Sequence, residues 1–261
     1  MLALKDWFST RPTSRSKPDG RPRLDLGDEG PICPFYAIGD VHGRLDLLDA
    51  AETKVAQDIA RTRRPGVLVL LGDYVDRGPA SSAVIDHLCH PHPRGLRRIT
   101  LRGNHDDLFV RFLTEERGGR DWMEIGGDAT LASYGVDIKN FSLNQPSGWT
   151  ALRRAAQQAV PPAHIALLQA MPALLRIGRL VFVHAGLRPG VPLEAQEDQD
   201  LLWIREPFLS KGPELPFMVV HGHTPSQEPS FGRQRIGIDT GAYQSGRLTV
   251  VKLDGRNVSF L

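Results

Sequence analysis

The sequence predicts an α/β fold: two mixed β-sheets packed as a sandwich, with helices on the outer faces. Over residues 35–101, short apolar runs alternate with amphipathic segments of helical length, a βαβαβ pattern. After residue 180 the apolar runs are short and follow one another closely, so this part reads as mainly β. Five polar blocks rich in Gly, Asp, Asn and His each stand directly after one of these runs. That is where open α/β sheets bind their ligands.

Residues 1–30 place Pro12, Pro18 and Pro22 among Arg11, Arg15, Lys17, Arg21 and Arg23 with little periodicity. They are expected to form a mobile basic tail ahead of a single catalytic domain at 31–261. A first strand is expected at 35–38, followed by a helix over 45–63 that carries Leu47, Leu48, Ala51, Val55 and Ile59 on one face. A second strand at 67–71, a helix at 81–88 and a third strand at 98–101 follow. The section 107–178 holds helical segments at 108–113, 149–160 and 163–170 around the stretch WMEIGGDATLASYG, and is expected to form a helical cap. Later strands are expected at 180–183, 217–220, 235–238, 248–253 and 258–261. A chain of 261 residues, 41% hydrophobic, can bury a large core in one such domain.

Composition excludes several classes. The two cysteines, Cys33 and Cys89, form no CxxC pair and no disulfide framework, which points to a reducing, cytoplasmic setting. The longest apolar run, 67–71, has the length of a strand, and 171–183 is broken by Arg176 and Arg179, so neither a membrane span nor a membrane partner is expected. Lys5 and Asp6 interrupt any signal-peptide centre. A net charge of +2 is too small to argue for a nucleic-acid partner. No heptad speaks to the oligomeric state.

The five blocks carry the chemistry: GDVHG at 39–43, GDYVDRG at 72–78, GNHD at 103–106, HAG at 184–186 and HGHT at 221–224. Asp40, Asp73, Asn104, His184 and His223 all lie just past an apolar run. Carboxylate oxygen, amide oxygen and imidazole nitrogen suit manganese, iron or zinc better than calcium, and the lack of thiolates argues against structural zinc. Paired catalytic ions stand about 3.5–4 Å apart, a gap that one carboxylate bridges, and Asp73 is the candidate bridge. Two divalent ions, two carboxylates and one hydroxide sum to about +1 beside neutral histidines, which attracts a phosphate dianion. Arg77 and Arg205 add planar forks that match phosphate oxygens.

Other polar clusters read as structural. His87, His90 and His92 with Cys89 have the residue types of an accessory zinc site, but the end of a helix and the stiffening of Pro91 and Pro93 explain them better. His221 is expected to be a buried, hydrogen-bonded histidine at a strand end. Trp122 and Trp149 are expected in the core, and Trp203, beside Arg205, near the site.

The order GDxHG, GDxxDRG, GNH(D/E), HAG, GH resembles the phosphoprotein phosphatase (PPP) family of the calcineurin-like metallophosphoesterase superfamily, over 36–243. GGDATLASYG at 126–135, LLWIR at 201–205 and IDTGA at 238–242 are similar to its bacterial and phage serine/threonine phosphatase branch. The resemblance implies a calcineurin-like fold and two divalent ions, manganese first, with iron or zinc as alternatives. Asp40, His42 and Asp73 would bind one ion, and Asp73, Asn104, His184 and His223 the other. His105 would act as general acid, with Asp76 bonded to it to orient it and raise its pKa. Arg77, Arg205 and Asn104 would hold the phosphate. The third block ends in Asp106, where the family usually has glutamate.

The implied reaction is hydrolysis of phosphoserine or phosphothreonine in a phosphorylated protein or peptide, with phosphotyrosine left open. A hydroxide bridging the two ions would attack phosphorus in line. Two alternatives stand beside it. One is a diadenosine tetraphosphate hydrolase of the same family, whose second block usually lacks the pair present here as Asp76 and Arg77. The other is a non-catalytic phosphate-binding scaffold, which should have lost at least one ligand or the acid, and none is missing here.

Overall fold

The computed structural model describes residues 13–14, 20–115 and 119–261. In chain order the strands are β1 (Thr13–Ser14), β2 (Arg23–Asp25), β3 (Phe35–Ile38), β4 (Val67–Leu70), β5 (Arg97–Thr100), β6 (Leu174–Ile177), β7 (Leu180–Val183), β8 (Met218–His221), β9 (Ser230–Gly232), β10 (Arg235–Gly237), β11 (Val250–Asp254) and β12 (Asn257–Phe260). The helices are α1 (Leu45–Thr62), α2 (Ser81–Cys89), α3 (Asn104–Thr114), α4 (Gly119–Glu124), α5 (Gly127–Ser133), α6 (Pro146–Ala159), α7 (Pro162–Ala170), α8 (Asp198–Trp203), α9 (Phe208–Lys211) and α10 (Ala242–Ser245).

The strands form two mixed sheets, ordered β1-β2-β6-β7-β8-β10-β9 and β12-β11-β3-β4-β5. Strands β3, β4 and β5 are parallel, so their carboxyl ends share one rim. Strands β7 and β8 are parallel as well. Period-two alternation sorts each strand between layers. Phe35 and Ala37 of β3 face the other sheet, where Phe35 stacks on Phe182 of β7 at 5.7 Å. Tyr36 and Ile38 face the helical layer with Leu48, Val55, Val84 and Phe109. On the far side, Val181, Val183 and Val219 pack with Leu201 and Phe208. The sandwich expected from the sequence is therefore present, and each fully buried aliphatic or aromatic side chain stabilises it by about 1.5–3 kcal/mol.

The main departure is at the amino-terminal side. Residues 23–25, expected within a basic tail reaching residue 30, instead form β2, in parallel register with β6. The basic residues there are taken up internally. Arg23 is buried and donates to the carbonyls of Leu193 (2.9 Å) and Gln196, while Arg21 pairs with Asp107 and Asp198. Residues 1–12 and 15–19 of the expected tail lie outside the described residues. Strands β2, β6 and β9 were not expected, being three or four residues long and broken by charge or glycine. Among the described residues, no helix is long and apolar enough to cross a membrane.

Candidate active site

The blocks after β3, β4, β5, β7 and β8 meet at one rim of the sandwich. Sharp turns present their side chains there. Of the eight non-glycine residues with left-handed φ among the described residues, five belong to the site: His42 (44°), Asp73 (53°), Asp76 (71°), Arg77 (69°) and His223 (63°). Such backbone costs on the order of 1–3 kcal/mol per residue and persists where the surroundings over-determine it. Two glycines permit close approach: a Cβ on Gly222 would collide with Asp40 Oδ1, and one on Gly103 with Asp73 Oδ1.

Asp73 is the centre. Its Oδ1 accepts the backbone N–H of His105 at 3.0 Å. Its Oδ2 faces His42 Nε2 at 3.7 Å on one side and His184 Nε2 at 3.5 Å on the other. Asn104 Oδ1 lies 2.7 Å from His184 Nε2 and 2.9 Å from His223 Nδ1. The backbone N–H of His223 donates to both oxygens of Asp40, at 3.2 and 3.1 Å, which ties the first block to the last.

Two carbonyls fix which imidazole atoms turn inward. His42 Nδ1–H donates to Val75 O (2.8 Å), and His184 Nδ1–H donates to Leu71 O (3.0 Å). Their Nε2 lone pairs therefore point at a carboxylate oxygen and an amide oxygen. Acceptors facing acceptors in a buried site call for cations between them, and the groups His42–Asp73–His105 and Asp73–His184–His223 bring their ligand atoms within 4.8 Å of one another. The donor set fits two divalent ions sharing Asp73.

Burial governs the titration of these groups. Burial, then Asp239 and Asp73, holds the Asp40 carboxyl well above the usual range, and burial with Asp106 does the same to Asp73. Burial pushes His184 down to about 3 and, with His184 beside it, His223 to about 2. Neutral imidazoles are the metal-ready form.

Asp106 braces this arrangement. Its buried carboxylate accepts from the backbone N–H groups of Asp73 (2.8 Å), Tyr74 (2.9 Å) and Gly103 (2.9 Å), joining the second and third blocks. Burial lifts its pKa to about 6 even though the three amide bonds pull it down. The aspartate thus has the reach that this loop needs.

The expected contact between His105 and Asp76 is formed. His105 Nδ1 lies 2.7 Å from Asp76 Oδ2, and its Nε2 lies 3.9 Å from Asp73 Oδ2 and accepts from the Arg77 guanidinium at 3.1 Å. The upward shift expected for His105 is not found. Burial and the Arg77 charge hold it down to about 3, and burial raises Asp76 to about 8. Burial opposes a charge on either partner, so their contact does not lift the imidazole as expected.

The structure brings Asp40, His42, Asp73, Asp76, Arg77, Asn104, His105, His184 and His223 together. Arg205 stands exposed after α8, where its charge helps to depress His223. Trp203 sets its edge against His223, with ring centroids 6.0 Å apart. Tyr243 and Asp239, near the site, carried no role in the sequence reading. Tyr243 lies edge-on to His42 (5.4 Å) and under the Arg77 guanidinium (4.8 Å). Asp239 is buried close enough to raise Asp40. The motif IDTGA ahead of Tyr243 was the available signal for both.

A third cluster, Glu52 with His87 and His92, has ligand-like spacing. His92 Nδ1 accepts the Arg94 backbone N–H (3.2 Å), which places the ring proton on Nε2, 3.2 Å from the Glu52 carboxylate. His87 and Arg98 donate to the same carboxylate, at 2.6 and 3.1 Å. Two donors, His87 and Arg98, thus bond this buried carboxylate, while His92 Nε2 is buried without a hydrogen-bond partner. His221 is also buried, donating from Nδ1 to Gly222 O (3.0 Å) and packing edge-on against Phe208 (5.1 Å).

Comparison with known proteins agrees with this geometry. The family model for calcineurin-like phosphoesterases matches residues 33–252. The asymmetrical bis(5'-nucleosyl)-tetraphosphatase PrpE of Geobacillus thermodenitrificans (strain NG80-2) is 28% identical over 236 residues, covering 82% of this chain and 88% of its own. Among solved structures, the cold-active protein-tyrosine phosphatase of a psychrophilic Shewanella species superposes with a TM-score of 0.54 at 15% identity, over 90% of this chain and 82% of its own. A protein serine/threonine phosphatase from Saccharomyces cerevisiae reaches 0.50 at 17% identity, over 88% and 79%. These two structural likenesses speak to the fold alone. With 33–252 matched and the strand-end blocks assembled at one rim, the chain belongs to the calcineurin-like phosphoesterase family and is a metallophosphoesterase.

Proposed function

We propose that this metallophosphoesterase hydrolyses phosphoserine and phosphothreonine side chains, with manganese as its working metal. The observation that carries the reading is the His105–Asp76 pair, bonded at 2.7 Å, with His105 Nε2 3.9 Å from the candidate bridging carboxylate. An alkoxide is a poor leaving group and needs a proton as the P–O bond breaks; the phosphate leaving group of an anhydride does not. A positioned acid beside the metal ligands therefore favours an alkyl phosphate ester.

In this reading Asp40, His42 and Asp73 hold one ion, and Asp73, Asn104, His184 and His223 hold the other. Once bound, the ions supply Lewis acidity toward the phosphoryl oxygens and an activated water. Arg77 would turn its fork from His105 Nε2 to the phosphate, which frees that nitrogen to take up a proton from solvent and pass it to the leaving oxygen, so that the imidazole ends neutral as it began. Arg205 and Asn104 add donors to the phosphate, and the charge they meet grows toward the transition state. Asp76 keeps the imidazole in plane by accepting its Nδ1–H.

A second reading, hydrolysis of a dinucleotide polyphosphate, is favoured by relatives named as bis(5'-nucleosyl)-tetraphosphatases, at 28% and 26% identity over most of the chain. Initial rates on a phosphoserine peptide and on diadenosine tetraphosphate, with metal-stripped protein and added manganese, separate the two. Manganese-dependent release of phosphate from the peptide is expected. A large preference for the dinucleotide replaces the first reading with the second, and inactivity on both removes both.

A further inference from the structure

The Asp76 carboxylate has more donors than an orienting partner for one histidine requires. Its Oδ1 accepts from Thr130 Oγ1 (2.6 Å) and from Trp122 Nε1 (3.1 Å), and its Oδ2 from Trp122 Nε1 (2.9 Å) in addition to His105 Nδ1 (2.7 Å). Thr130 Oγ1 also accepts the Asp76 backbone N–H at 2.7 Å, so side chain and main chain are held by one residue. Trp122 and Thr130 are fully buried and belong to helices α4 and α5 of the cap segment, not to any strand-end block.

These donors are themselves immobile. The Trp122 indole stacks on Phe109 (5.2 Å) and packs on Phe112 (4.8 Å). Gly127 closes the other side, where a Cβ would stand 2.6 Å from the indole ring. The same turn reaches the neighbouring residue: Gly126 O accepts the Arg77 backbone N–H at 3.2 Å, and a Cβ on Gly126 would meet Arg77 at 3.0 Å. Residues 122–130 thus grip both Asp76 and Arg77, the two residues that approach His105 from its two nitrogens.

We propose that Trp122 and Thr130 are positioning residues of the reaction: through Asp76 they set the orientation of His105 in which it donates its proton to the leaving group. The cap segment then acts as the mount of the acid and not only as a cover of the core. The inference rests on the general-acid role of His105. It predicts a loss confined to substrates that need protonation, because a side chain that only fills space affects all leaving groups alike.

The test compares Thr130→Val and Trp122→Phe with the parent and with His105→Asn, all loaded with manganese and checked for metal content. Turnover is measured on p-nitrophenyl phosphate, whose leaving group departs unaided, and on a phosphoserine peptide, whose leaving group does not. His105→Asn should lose about 10²–10⁴-fold in kcat on the peptide and far less on the aryl ester. Thr130→Val and Trp122→Phe should show the same pattern at about tenfold or more, with KM and metal content unchanged, and Thr130→Ser should restore the peptide rate. Equal losses on both substrates, or none on the peptide, in the two cap variants while His105→Asn stays selective would overturn this proposal and leave the general-acid reading intact. A His105→Asn protein without selectivity would overturn both. Should Thr130→Val fail to fold, Trp122→Phe decides.

Discussion

The ligand half proposed for the site and the acid half proposed beside it are held by different means. His42 and His184 are oriented by carbonyls of the blocks and strand ends themselves, Val75 and Leu71, and Asp73 by amides of the adjoining loop and by Asp106. The acid half depends on side chains 46 and 54 residues from Asp76 along the chain, Trp122 and Thr130. A cage of donors tied to backbone is set as soon as the sheet forms. A side-chain relay needs helices α4 and α5 docked as well. The two functions, holding metal and delivering a proton, should therefore fail separately.

Asp73→Asn attacks the ligand half at the one atom that faces both histidine groups. Metal content, read by elemental analysis, should fall from two ions toward none, and phosphatase activity by more than about 10⁴-fold, since both ions and the water they activate are lost together. The far-ultraviolet circular dichroism should be unchanged. Retention of both ions would remove Asp73 as the bridge.

His105→Asn sharpens the contrast from the other side. Both ions should remain, with kcat on a phosphopeptide lowered by about 10²–10⁴-fold. Loss of metal in this variant would show that the two halves are not separable.

Asp106→Ala tests what joins the loops. It strips the acceptor from three buried amides, at about 1–3 kcal/mol each, so urea unfolding should show a loss of at least about 3 kcal/mol, with weaker manganese binding. A change under about 1 kcal/mol would mean that water or a shifted loop replaces the carboxylate.

The smallest effect is on pH. Burial keeps the Asp40 and Asp73 carboxyls protonated well above their usual range, so an incoming cation must displace protons. Affinity is therefore full above the raised pKa values and lost as pH falls through them, by up to about tenfold per pH unit for each proton displaced. Titration of manganese into metal-stripped protein, in buffers of different ionisation heat, should show proton release that grows as pH falls. Binding independent of pH contradicts the assigned ligand set.

The sequence made the proposed ligand half legible because each candidate ligand lies within about four residues of a strand end, so knowing the strand was enough to place the side chain. Asp40, Asp73, Asn104, His184 and His223 were found in this way, and His42 and His105 through the motif around them. The same locality misled at Arg21 and Arg23. A run of arginines among prolines reads as a solvated tail, and only the fold reveals Leu193, 170 residues on, as the acceptor waiting for Arg23. Strands β2, β6 and β9 escaped notice for a related reason. Three or four residues carry too little periodicity to be seen, and their pairing partners supply the stabilisation instead.

Alone, the sequence determined the layered α/β class, the strand-end placement of the donors and their fit to divalent ions, because these follow from spacing along a few residues of chain. The tertiary structure decided the rest. It alone brought Trp122 and Thr130 onto Asp76, placed Tyr243 beneath Arg77, and set Asp239 near Asp40. It also reversed the expected shift of His105, since a pKa is set by burial and by neighbours in space, and neither is a property of position along the chain.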